Sequence, residues 1–96
     1  LGDVYKRQTP RFKVTLGVMP DYMFDGEGMR IDGISKGKTA EKYGFLKGDV
    51  VIKMGDLEVV DMMGYMKGLS MYEKGDSTTV KVLRDKSKIN IPIIFQ

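Results

Sequence analysis

Ninety-six residues supply one hydrophobic core and rarely two. A balance of 42% hydrophobic to 30% charged residues is that of an ordinary globular domain. The net charge of +3, spread along the chain, makes no case for nucleic acid. No apolar run approaches the roughly 18 residues that a membrane span needs, so insertion is not expected. Cysteine and histidine are both absent, which excludes disulfides, a thiol nucleophile, a Cys/His zinc site and a histidine general base.

In chain order, residues 1–8 (LGDVYKRQ) show no periodicity and read as a non-native or disordered leader. The domain proper is expected over 9–96, excised from a larger protein, since the chain starts at Leu1 rather than Met. Phe12, Val14 and Leu16 alternate with Lys13 and Thr15, which predicts a half-buried first strand over 11–18. Gly17 then sits between Leu16 and Val18, where a glycine permits close backbone approach and frees N–H groups for an outside acceptor. Residues 20–28 form a loop rich in Asp and Gly. Its Asp21, Asp25 and Glu27 lack the spacing of a calcium loop, so they read as a solvated turn.

Met29, Ile31 and Ile34 mark a second strand, and 39–43 a helix of little more than one turn that ends at Gly44. Strands follow over 50–54 and 57–60, joined by a Gly55-Asp56 hairpin. Asp61 is placed to cap a helix over 62–72, whose Met62, Tyr65, Leu69 and Tyr72 form one apolar stripe. Gly64, Gly68 and Met71 fall on the adjoining stripe; two glycines on one helix side imply a packing or groove role. A last hairpin pairs 79–83 with 89–95 through 84–87, and Pro92, having no N–H, belongs at a sheet edge or bulge. The Lys-Gly-Asp triplets at 47–49 and 74–76 read as one turn solution used twice rather than as a duplication.

Catalysis finds no support: the serines at 35, 70, 77 and 87 lack a histidine partner, and no lysine lies in an apolar context. The eight methionines read as core filler and groove lining rather than as a copper site. No cofactor is expected.

The order strand, Leu16-Gly17-Val18, loop, strand, then the block from Gly37 to Ile52 (GKTAEKYGFLKGDVVI), hairpin, helix, Lys74-Gly75-Asp76 and two strands resembles a bacterial PDZ domain of the HtrA and tail-specific protease type. Leu16 to Tyr22, with Tyr65-Met66-Lys67, is also similar to PDZ domains appended to bacterial zinc-dependent aminopeptidases. The resemblance implies an α+β, mostly β fold: a partly open barrel or sandwich of five to six strands capped by two helices. It implies a peptide C-terminus held between the first strand and the second helix, and a peptidase domain as covalent partner. It also implies a location in the periplasm or cell envelope, and a monomer when isolated. On that reading the amides of Leu16, Gly17 and Val18 meet the terminal carboxylate, since aligned amides hold an anion without a fixed charge. Leu16, Val18, Gly68 and Met71 would line the pocket for the last side chain. Met19, Gly64 and Lys67 would flank the ligand upstream.

Three departures accompany the resemblance. Gly64 stands where hydroxyl-reading animal PDZ domains place a histidine. Pro20 removes an N–H donor two residues past Val18, which predicts short pairing and weak binding. Lys38 is a poor helix cap. Two readings follow: a module that captures peptide tails, or a structural domain that packs on its parent enzyme with its groove unused.

Overall fold

The computed structural model describes residues 14–96. The leader at 1–8 and the start of the strand read over 11–18 lie outside these residues. Six antiparallel strands and two helices make up the domain: β1 (Val18–Pro20), β2 (Met29–Ile34), α1 (Thr39–Lys42), β3 (Val50–Met54), β4 (Leu57–Glu58), α2 (Met62–Ser70), β5 (Ser77–Arg84) and β6 (Ser87–Ile94). The sheet runs β1-β2-β3-β5-β6, with β4 added to β3, so among the described residues it stays open, with β1 and β6 at its edges.

The alternation at 14–16 holds in burial but not in pairing. Val14 and Leu16 are buried and Thr15 is exposed, yet the ladder begins only at Val18. The reason is local. Leu16 gives its carbonyl to the Ala40 N–H of α1 at 2.7 Å, and Gly17 takes φ +80, which an extended strand cannot contain.

On β5 and β6 the period is 2: Val80, Val82, Ile91 and Ile93 face the core while Asn90, Pro92 and Ile94 do not. Pro92 lies on the edge strand, where its missing donor leaves no ladder bond unmade. Asp61 caps α2, its Oδ1 accepting from the Gly64 N–H at 2.8 Å. The helix stops at Ser70 rather than residue 72. There Met71 and Tyr72 donate to Gly68 and Leu69, three residues back, and Tyr72 turns away to stack on Phe95 at 5.1 Å. Lys38 does precede α1 without a side-chain cap; Glu41 instead accepts from the Gly37 N–H at 2.9 Å.

Both Lys-Gly-Asp triplets fold alike. In each the glycine takes positive φ (Gly48 +95, Gly75 +90), and the aspartate N–H and carboxylate return to one residue, Leu46 or Glu73. They differ in what the carboxylate meets next. Asp76 is exposed, whereas the Asp49 side chain is 2% exposed and takes a two-pronged bond from Arg84, Nε at 2.8 Å and Nη2 at 2.7 Å. Arg84 Nη2 also donates to the Gly44 carbonyl at 3.1 Å, so one guanidinium ties β5 to the end of α1. That hydrogen bond to Asp49 raises the Arg84 pKa further and keeps it charged.

Candidate functional site

The outer edge of β1 is the best-defined feature. Gly17 accepts from the Ser35 N–H at 2.9 Å, and Asp21 donates to the Arg30 carbonyl at 2.9 Å. Together with the register Val18↔Ile34, Met19↔Gly33 and Pro20↔Ile31, these bonds make Met19 the residue that exchanges bonds with β2. Val18 and Pro20 therefore turn their main-chain groups outward, away from the sheet. An added strand would find the Val18 N–H and C=O and the Pro20 C=O. At Pro20 it would find no N–H.

The loop before β1 is held on its carbonyl side by Ala40 and Ser35, and Gly17 backs directly onto the Cβ of Lys38. That anchoring fixes where the amides point. One of them is already engaged: the Gly17 N–H donates to Thr15 Oγ1 at 3.1 Å.

A Cβ on Gly68 would meet Met54 Sδ at 3.0 Å and Leu57 Cδ2 at 3.5 Å; one on Gly64 would meet the Val59 Cα at 3.5 Å. Gly68 thus lets α2 settle close onto β3 and β4, and Gly64 lies against the chain that leads into the helix. Lys67 is on the solvent side, and Met71, beyond the helix, is 60% exposed. Of the other apolar residues of α2, Tyr65 and Leu69 are buried in the core, Met62 packs against it and Met66 is 38% exposed. Met62 shares a cavity of about 400 Å³ with Tyr22, the second residue after β1. On the strand side, Leu16 is fully buried as a whole residue, so its side chain belongs to the core and does not line a ligand pocket. Val18 is half-buried against the core, and Met19 lies exposed across Gly33. The single core-facing stripe read from the sequence at Met62, Tyr65, Leu69 and Tyr72 holds.

Of the loop acids, Asp21 has a structural role. Asp21 pairs with Arg30 at 3.0 Å and accepts from the Met23 N–H at 3.0 Å, while Arg30 lies over the Phe24 ring at 5.5 Å. Among the described residues no cluster of acids could hold a metal ion, and no helix is long and apolar enough to cross a membrane.

Burial, and secondarily Tyr22, pushes the Tyr65 hydroxyl well above its ordinary value of 10.0. A raised value means that the folded state keeps this proton longer than the unfolded chain. Its contribution is therefore complete below pH 10.0 and declines as pH climbs toward the raised value. Above about pH 10 the protein should lose stability as pH rises, by up to about 1.4 kcal/mol per unit from this group. Tyr65→Phe should flatten that part of the thermal-melt profile, and an unchanged profile would refute the assignment.

The PDZ domain family model matches residues 6–94, and the chain belongs to the PDZ domain family. Solved structures share the fold. An aminopeptidase N family protein from Idiomarina loihiensis superposes with a TM-score of 0.78 at 19% identity, over 88% of this chain and 14% of that one. The HtrA-type protease AlgW, solved with a decapeptide, gives 0.76 at 21% identity, over 88% and 29%. The HtrA3 PDZ domain, bound to a phage-derived ligand (FGRWV), gives 0.74 at 13% identity, over 90% and 88%. This chain thus spans less than a third of the two larger proteins. No curated protein matches.

Proposed function

We propose that this domain is a non-catalytic module that captures the C-terminal segment of a peptide as an extra strand on β1, on behalf of an attached peptidase. The outer edge of β1, unpaired among the described residues and beside the anchored Gly17 loop, is the observation that carries this reading. The terminal carboxylate sits at the amides of Leu16, Gly17 and Val18. The upstream backbone pairs with Val18, and the last side chain lies between Val18 and the Met66–Leu69 flank. Peptides in the HtrA3 and AlgW structures support the mode, and the aminopeptidase likeness supports a peptidase parent. The envelope location implied by the resemblance belongs to the same proposal.

Calorimetric titration with pentapeptides ending in Val, Ile, Leu, Met or Phe tests it. Saturation by at least one free-acid peptide is expected; no saturation at millimolar concentration would overturn it. A docking module with an unused groove would then stand, a reading favoured by the Thr15 bond already on the Gly17 amide.

Pro20 sets the strength of capture. Its outward position lacks the N–H that a ligand carbonyl two residues upstream would accept from, so one ladder bond is lost. Pro20→Val should tighten tail peptides about fivefold, the worth of one net hydrogen bond of about 1 kcal/mol. Equal affinity for the two proteins would refute the register drawn here.

A further inference from the structure

Beyond Pro20 the loop that follows β1 and the start of α2 enclose the cavity of about 400 Å³ that holds Tyr22 and Met62. Main-chain bonds fix its shape. Asp21 donates to the Arg30 carbonyl at one end of the loop, and Gly28 donates to the Val60 carbonyl at the other, both at 2.9 Å. A Cβ on Gly26 would meet the Phe24 ring at 2.6 Å, so that ring lies directly against the loop backbone. The walls are apolar or aromatic, but the charge is all of one sign. Every charged residue of the lining is an acid. Two of them are engaged: Asp21 pairs with Arg30, and Asp61 caps α2. The side chains of Asp25 and Glu27 make no hydrogen bond or ion pair among the described residues. Nor do three acids of the described residues gather as the ligands of a metal ion would.

We infer that this cavity is a subsite for a lysine or arginine side chain of the captured peptide, three to five residues upstream of its C-terminus. The inference rests on the peptide-capture reading. A peptide whose terminus meets the Gly17 loop runs antiparallel to β1, with its residue two places upstream across from Pro20. Each further residue advances it by about 3.4 Å, past Pro20 and onto the cavity. There the aliphatic stem of a basic residue can lie along Tyr22 and Met62 while its charged head meets Asp25 and Glu27. The loop already holds one cation in this way: Arg30 lies over the Phe24 ring at 5.5 Å and pairs with Asp21 at 3.0 Å. Exposed Tyr22, with Asp25 and Glu27, offers the same combination of ring and carboxylate to a second. The preference is local, because a chain of net charge +3 repels basic peptides at long range.

The test uses free-acid octapeptides of one sequence with lysine or methionine, similar in length, at each single position from one to five residues upstream of the end. They are titrated against the protein and against the double variant Asp25→Asn/Glu27→Gln, whose two exposed sites keep their shape and lose their charge. At one of the positions three to five residues upstream, lysine should bind the protein about fivefold more tightly than methionine. That ratio should fall toward one in the double variant, and it should shrink in 0.5 M sodium chloride, where exposed charges are screened. Equal affinities for lysine and methionine at all three positions would overturn the subsite and leave peptide capture intact. So would a lysine advantage equal at all five positions, or one that the double variant retains in full. No saturation by any peptide of the series would overturn both readings.

Discussion

Arg84→Met should lower the stability of this domain by about 3 kcal/mol, the low end for breaking a buried pair, because the Arg84 side chain is 27% exposed and water reaches it. The loss comes less from the missing attraction than from what remains. The Asp49 carboxylate is 2% exposed, and without Arg84 it keeps only the Leu46 N–H at 3.0 Å. In a domain whose whole stability is about 5–15 kcal/mol, that is a shift of roughly 15 °C in Tm. Asp49→Asn alone should be milder, since a neutral amide still accepts from Leu46. Adding Arg84→Met to Asp49→Asn should then cost only about 1 kcal/mol more. Urea unfolding of the four proteins measures the coupling. If Arg84→Met lies within about 0.5 kcal/mol of the wild type, Asp49 is not the buried anchor described here.

The second large effect is expected at Gly17. An alanine there would hold φ +80 against its preference, and its Cβ would collide with the Cβ of Lys38, an atom too near the main chain to swing aside. About 2 kcal/mol of stability should be lost. Because the strain falls on the loop that aims the amides, tail binding should drop by more than about tenfold at temperatures where circular dichroism still reports a folded domain. Lys38→Gly in the same background relieves the collision but not the dihedral, and should return part of the stability and little of the binding. Wild-type affinity in Gly17→Ala would show that this loop is not the carboxylate seat.

Local chemistry was legible in the sequence wherever neighbours in the chain decide the outcome. Apolar runs bounded by turn signals marked β2, β3, β5 and β6; Asp61 marked the start of α2; Gly44, Gly48 and Gly75 marked turns by a backbone conformation that side chains disfavour. Pro92 announced an edge strand because it cannot donate. The block from Gly37 to Ile52 carried the family, which the match over residues 6–94 establishes.

Three matters were decided only in three dimensions. The partner of Asp49 is 35 residues away, and nothing in the local pattern distinguishes Asp49 from Asp76 until Arg84 reaches one and not the other. Which flank of α2 looks toward β1 depends on how the helix sits on the sheet. Of the packing or groove role that periodicity left open for Gly64 and Gly68, packing is seen: Gly68 lies against Met54 and Leu57, and Gly64 against Val59. The state of the Gly17 amide turns on where the Thr15 hydroxyl points. Periodicity places a residue on a face, but packing and hydrogen bonding across the chain determine what that face meets.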